Sequence, residues 1–312
     1  MNIVDFSVEW IPQAKALILS NYLEECAAVD ALPKDVTIPP LDDLARNGLG
    51  AAAVEDGRLL GFLSAYGPWK PVLYTPDTAG VFSPLQAHAV QRGQRVALWR
   101  RLYQEAAEKW VKAGAASHSI TLHAHDADAR EALYLYGFGV RCMDLIRPMT
   151  DAAPLDGWLC RELKDGEKDE VTVLRRMLAG HLSQSPSFMQ DPPQRLEAWL
   201  LRRQKDPPRV FAAEDGGRII AYIEVQEDGE NYISDSPGVM NICGAYCLPQ
   251  YRGKGAAQAV LQEMILALRR EGYTRLGVDC ESFNPTAAAF WSKYFKVYTH
   301  SVVRRIDENA LL

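Results

Sequence analysis

Apolar residues recur at helical spacing through Ala256–Arg270. Ala257, Val260, Leu261, Met264, Ile265 and Leu268 stand at i, i+3, i+4, i+7, i+8 and i+11, the stripe of an amphipathic helix. Gln262, Glu263, Arg269 and Arg270 fall off it. Just upstream, VMNICGAYCL (Val239–Leu248) is almost continuously apolar and reads as a buried strand. Two other stretches, AAVEDGRLLGFL from Ala52 and FAAEDGGRIIAYI from Phe211, fold back on Asp-Gly or Gly-Gly turns. Each reads as a β-hairpin.

The two hairpins are one half of an internal repeat. HAHDADAREALYLYGFG from His123 and DCESFNPTAAAFWSKYFK from Asp279 both leave a strand, pass a polar N-cap residue and enter an alanine-rich aromatic helix. Glu55 and Glu214 lie 159 positions apart (214 − 55), and Asp126 and Asn284 lie 158 apart (284 − 126). Each half therefore predicts the same order. A strand near Ile3–Phe6 or Trp158–Leu163 opens it. Helices near Gln13–Glu25 and Leu41–Arg46, or Val171–Leu182 and Pro193–Arg203, precede the hairpin. Strands Gly80–Phe82 and Val239–Leu248 follow, then helices Ala97–Ala113 and Ala256–Arg270. Strands Ser119–His125 and Arg275–Cys280, helices Ala129–Tyr136 and Thr286–Tyr294, and strands Val140–Arg147 and Val297–Ile306 complete it. TDAAPLDG, Thr150 to Gly157, is the natural linker. The expectation is two α/β (α+β) domains, 1–150 and 151–312, each a mixed, mostly antiparallel sheet flanked by helices.

At 312 residues the length suits two domains. A net charge of −6 gives no broad positive field, which argues against a nucleic-acid partner. No apolar run reaches the roughly 20 residues that span a bilayer, so no membrane partner is expected. The amino-terminal residues lack the basic-then-apolar order of a secretory signal. Six scattered cysteines without CxxC suit a reducing, cytoplasmic compartment.

Between the buried strand and the striped helix lies LPQYRGKGAA. Two glycines and two cations thus sit at a strand-to-helix turn. The first amides of a helix have no partner within it, and with the macrodipole they favour an anion. Glycines let the backbone curl and let a ligand approach closely. Gly253 and Gly255, with Arg252 and Lys254 at the rim, suit a pyrophosphate. GxxxxGK[ST] is absent, and GxGxxG lacks its third glycine and its strand context.

Gln250, Gly253 and Gly255, with Pro249 before them, resemble the pyrophosphate loop of the GNAT superfamily of acyl-CoA-dependent N-acyltransferases. Asn284 and Ala287 match that superfamily's downstream Asn-x-x-Ala. The first half resembles the same fold with a damaged loop: SPLQAHAVQRGQRV keeps only Gly93, and Asp126 replaces the Asn. The resemblance implies a tandem GNAT with a degenerate amino-terminal half. It implies acetyl-CoA as co-substrate, with no metal, lying where strand Val239–Leu248 splays from strand Arg275–Cys280. The backbone of Cys247 and Leu248 would pair with the pantetheine arm. Gln250 and the segment Arg252, Gly253, Lys254, Gly255, Ala256 and Ala257 would hold the pyrophosphate, and Asn284 would bond the arm near the thioester.

The resemblance also places a thiolate-protonating Tyr at the position of Trp291, which cannot serve; Tyr294, nearly one turn on, is the substitute candidate. The central strand offers no carboxylate as base, so Glu224 and Glu281 are the candidates, each equally readable as a solvated edge charge. A water chain would serve as well. Cys243 and Cys247 share a strand face by even spacing and read as inert thiols. His88, in the degenerate loop, and His123 and His125, on one strand face, read as polar lining of a vestigial pocket rather than a metal site. The segments His181–Trp199 and QEDGENYISDSPG would shape the acceptor pocket, with Asp191, Glu227, Asp228 and Glu230 making it acidic.

The expected activity is transfer of acetyl from acetyl-CoA to a primary amine, on a small molecule or peptide, by direct attack. The expected assembly is a monomeric pseudo-dimer or a homodimer. The rival readings are a non-catalytic acyl-CoA-binding or regulatory protein, and a structural scaffold with no CoA affinity.

Overall fold

Hairpin and helix signals resolve into the elements of a computed structural model that describes residues 1–72, 75–150 and 152–311. In chain order these are β1 (Asn2–Asp5), α1 (Ile11–Ala28), α2 (Asp42–Arg46), β2 (Ala51–Glu55), β3 (Arg58–Leu63), β4 (Tyr66–Trp69), β5 (Gly80–Ser83), β6 (His88–Val90), α3 (Arg95–Lys112), β7 (Ser117–His123), α4 (Ala127–Tyr134) and β8 (Gly139–Pro148). The second series is β9 (Leu159–Glu162), α5 (Thr172–Leu182), α6 (Pro193–Lys205), β10 (Arg209–Asp215), β11 (Arg218–Gln226), β12 (Val239–Cys247), α7 (Ala256–Arg270), β13 (Arg275–Glu281), α8 (Pro285–Trp291) and β14 (Lys296–Arg305). Asp151, within the expected linker, lies outside the described residues.

The elements cluster into two units. One joins Met1–Asp144 to Lys296–Leu312; the other is Leu145–Phe295. The carboxy-terminal strand β14 thus belongs with the first unit, where it pairs antiparallel with β7 from Thr299↔His123 to Arg305↔Ser117.

In the Leu145–Phe295 unit, β9, β10, β11 and β12 pair antiparallel in succession. β12 then pairs parallel with β13, from Val239↔Arg275 to Ile242↔Val278. The sheet is mixed and mostly antiparallel. One strand, β12, does two jobs: its first half holds β13 and its second half, Asn241–Cys247, holds β11. In the first unit those jobs are split. β5 pairs parallel with β7, while β6 pairs antiparallel with β3, and a 3-10 turn at Leu85–Ala87 separates them. β6 lies within the segment expected to form the degenerate loop. His88 is therefore a buried strand residue, not a loop residue, with Nε2 2.7 Å from the Thr121 carbonyl oxygen.

Helix α7 buries Ala256, Ala259, Val260, Leu261, Met264, Ile265 and Leu268, and each large aliphatic side chain so removed from water contributes about 1.5–3 kcal/mol. Ala257, expected in that stripe, is only partly buried and belongs to the cavity described next. A bulge interrupts the β11–β12 ladder: Glu224 faces Gly244 but Val225 faces Ile242, leaving Cys243 as the extra residue. The expected common face of Cys243 and Cys247 is lost, because an extra residue breaks the alternation of side chains. Cys243 Sγ accepts from Arg203 on α6 at 3.4 Å, whereas Cys247 reaches the Ala257 amide at the start of α7.

Candidate functional site

The pairing of β12 with β13 stops at Ile242↔Val278, although β12 runs on to Cys247 and β13 to Glu281. A cavity of about 560 Å³ lies beyond that point, with Ala245, Tyr246 and Cys247 on one side and Asn284, Ala287 and Tyr294 among the residues on the other.

The turn into α7 closes one end. After a 3-10 turn at Pro249–Tyr251 the chain passes Gly253 at φ 74° and Gly255 at φ 91°. Both values lie in the left-handed region, where a side chain costs about 1–2 kcal/mol. A Cβ at Gly253 would meet nothing within 4 Å, so that face of the turn is open to a ligand. Arg252, Gly253, Gly255, Ala256 and Ala257 all line the cavity. Arg252 donates through Nε to the Cys247 carbonyl at 3.0 Å, and its guanidinium lies 5.2 Å from the centre of the Tyr246 ring. The turn thus sets the amides of a helix start beside a guanidinium, a combination suited to a diphosphate.

Other expected contacts stand back. Leu248 is buried; its amide donates to the Ile220 carbonyl at 2.9 Å. Gln250 and Lys254 are exposed and outside the cavity lining. The Lys254 carbonyl accepts the Trp158 indole N–H at 3.2 Å, and Trp158 packs edge-on against Tyr251. That aromatic pair braces the turn from outside.

Asn284 caps α8. Its Oδ1 accepts the Ala287 amide at 3.3 Å and the Thr286 hydroxyl at 2.8 Å. Tyr294 lines the cavity, and burial raises its pKa against the opposing field of Arg147. Trp291, where the resemblance places an acidic Tyr, is buried against Phe295 and also reaches the cavity.

Glu224 and Glu281 are elsewhere. Glu224 is fully buried and paired with the equally buried Arg175 at 2.6 Å, and neither it nor Glu281 lines the cavity. Among the described residues that line it there is no carboxylate at all. The expected acidic acceptor loops do not reach it either. Asp191 pairs with Arg195 at 3.3 Å, and Glu227 accepts from the Tyr273 hydroxyl at 2.6 Å.

One residue of the acceptor segment does enter: His181, the penultimate residue of α5. Its Nε2 lies 3.2 Å from Thr286 Oγ1 and its ring centre 6.4 Å from that of Tyr246. Burial lowers its pKa first, Arg252 second, and the Asn284 side chain opposes them. Nothing in the local pattern around His181 distinguishes it; only α5 seated against β12 brings it to Asn284 and Thr286.

In the first unit the turn into α3 is filled by protein. Gln94 holds the left-handed position at φ 54°, and Arg95, buried at the start of α3, forms two bonds to Glu24 at 2.9 and 3.0 Å and lies 3.5 Å from Asp126. Asp126 caps α4 through the Ala129 amide at 2.9 Å. His88, His118 and His123 are held neutral by burial, with pKa values lowered to about 4, 4 and 3. His125, expected on the strand face with His123, lies past the end of β7 and contacts Glu25 at 2.7 Å instead. The strand ends two residues earlier than expected because the chain turns there to enter α4. Among the described residues no group of three or more His, Cys, Asp or Glu side chains is placed to hold a metal ion.

The strand parting, the glycine turn and the capped helix beyond it occur together in one unit. Residues 175–295 match the acetyltransferase (GNAT) family model. Solved GNAT structures are similar over almost the whole chain. A GCN5-related N-acetyltransferase from Sphaerobacter thermophilus is 18% identical, with 94% of this chain and 93% of that one covered and a TM-score of 0.56. A GNAT-family acetyltransferase from Colwellia psychrerythraea is 15% identical, with 98% and 100% covered and a TM-score of 0.50. A GCN5-related glucosamine N-acetyltransferase region of a fungal multi-domain β-N-acetylglucosaminidase is 14% identical, covering 97% of this chain and 38% of that one, with a TM-score of 0.52. No curated protein sequence matches. Residues 175–295 thus resemble that family, and the fold of the chain is like that of these solved structures.

Proposed function

We propose that the chain is an acetyl-CoA-dependent N-acyltransferase working in the Leu145–Phe295 unit. The observation that carries the reading is the α7 turn, whose glycines at positive φ and whose guanidinium line the cavity opened where β12 leaves β13. The amides at the start of α7, with Arg252, Gly253, Gly255, Ala256 and Ala257, hold the pyrophosphate. The pantetheine arm runs past Tyr246 and Cys247 toward Asn284. The acceptor, a primary amine on a small molecule or peptide, attacks the thioester carbonyl directly. Tyr294, a phenol that carries its proton at neutral pH and whose pKa burial raises further, stands as donor to the leaving thiolate.

The first unit is read as a duplicated, degenerate copy. Arg95 with Glu24 and Asp126 occupies the helix start that an anion would need. Its carboxylates repel a diphosphate. The chain is read as a cytoplasmic monomeric pseudo-dimer or homodimer.

Calorimetric titration with acetyl-CoA tests the site. A Cβ at Gly253 meets open space but sits at φ 74°, so Gly253→Asp brings about 1–2 kcal/mol of backbone strain along with its carboxylate, and melting of the variant is measured beside its affinity. Affinity is expected to fall on the order of tenfold or more. Equal affinity in wild type and variant refutes the site. A second reading, a protein that binds acyl-CoA without turnover, is favoured by Trp291 standing where the resemblance places an acid and by the absence of carboxylates from the described cavity lining. Release of free thiol from acetyl-CoA in the presence of amines separates the two.

A further inference from the structure

We infer that His181 is the base that removes the proton from the attacking amine, through its Nδ1 nitrogen. The inference rests on the acyl-transfer reading above and deepens it.

The first argument is elimination within the cavity. Its charged lining groups are Arg252 and Lys293, both cationic, and its other titratable groups are Cys247 and the tyrosines 222, 246, 251 and 294. Burial raises Cys247, Tyr222 and Tyr294, and a bond to Asp215 raises Tyr251. The four groups so raised, Cys247, Tyr222, Tyr251 and Tyr294, keep their protons near neutrality, and cations have no lone pair to offer. Imidazole is the one group in that set that is both neutral and basic near neutral pH.

The second argument is the hydrogen-bond chain that fixes the ring. The Ala287 amide can only donate, so the Asn284 atom it meets is the carbonyl oxygen, Oδ1. That oxygen also receives the Thr286 hydroxyl. The hydroxyl has one proton, already given to Asn284, so toward His181 it can only accept. Nε2 of His181, 3.2 Å away, is therefore the protonated nitrogen. Nδ1 is left with its lone pair. A helix cap and a side-chain hydroxyl together set the tautomer a base requires.

The third argument is electrostatic. Arg252 approaches from the α7 turn, and burial acts with it to disfavour imidazolium, while Asn284 partly offsets them. The ring is thus unprotonated at neutral pH and free to accept.

The step balances without a further reactant. The amine nitrogen bonds to the acetyl carbon, the carbon–sulfur bond breaks, and the nitrogen loses one proton to Nδ1. Coenzyme A leaves as thiolate and takes up one proton as the imidazolium gives one up. The products are the amide and free thiol.

The test uses the full chain with acetyl-CoA and four amines: spermidine, glucosamine, an arylamine and a peptide with a free amino terminus. His181→Gln and His181→Ala are compared with wild type for melting, acetyl-CoA affinity, and kcat/KM against pH. Expected are unchanged melting and affinity, a loss of about 10²–10³-fold in kcat/KM, loss of the wild-type ascending limb, and partial rescue of the alanine variant by free imidazole. In parallel, ¹⁵N spectra of wild type should show His181 with its proton on Nε2. Variant rates within a few-fold of wild type with an unchanged limb, or a proton on Nδ1, overturn the role of His181 and leave acyl transfer standing. Failure of wild type to bind acetyl-CoA overturns the underlying reading instead.

Discussion

A single buried ion pair takes Glu224 out of the chemistry of the Leu145–Phe295 unit. Glu224 is wholly buried with Arg175, and a Cβ on Gly244 would come within 2.7 Å of its Oε2. The pair is therefore a packed structural feature, fitted beneath the β12 bulge. Removing one partner strands a charge, which typically costs 3–5 kcal/mol. Arg175→Met is expected to lose about that much by urea unfolding, and the double variant Arg175→Met/Glu224→Leu to regain most of it. Equal stability of wild type and Arg175→Met would refute the structural role. Sequence reasoning named Glu224 because it sits near a strand end, but burial and the partner come from α5, 49 residues earlier. His181 eluded the same reasoning for the converse reason. Its neighbours in the chain are ordinary, and its chemistry arises only from contacts 105 residues away.

At the scale of elements, α7 and both hairpins were legible because their signals are local: a period of about 3.6 in one, turn glycines between apolar runs in the others. Strands β4 and β6, four and three residues long, are too short to carry a period. The bulge at Cys243 was invisible because alternation presumes an unbroken ladder. The cap of α8 was legible as a motif, and it has two duties. Asn284→Ala deletes the acceptor for both Ala287 and Thr286. A loss of about 1 kcal/mol is expected in urea unfolding. Asn284→Asp, which keeps two acceptor oxygens, is expected to restore it. A destabilised Asp variant would mean that the amide group, not the cap, matters.

For the molecule as a whole, acid acts on the first unit through three buried imidazoles. In the first unit His88, His118 and His123 are neutral when folded, with pKa values near 4, 4 and 3 against 6.5 unfolded. Below pH 6.5 the unfolded chain binds protons that the folded one refuses, so stability falls as pH drops toward 4. Each residue contributes on the order of 3 kcal/mol at the acid end. Melting of wild type followed from neutral pH downward is expected to show this loss, and His88→Gln to lessen it by about one third; a flat profile in wild type contradicts it. The division of the chain was only partly readable. The expected repeat puts a boundary near residue 150, whereas the pairing of β14 with β7 is set by tertiary contacts.

That last point bears on how the protein is made. The Met1–Asp144 portion leaves the ribosome long before β14, yet β7 needs β14 along seven consecutive positions. Until Lys296–Arg305 has been synthesised, one edge of β7 presents unpaired amides and carbonyls. That portion is thus among the last to finish folding, and in the interval the bare edge of β7 is exposed to pairing with another strand.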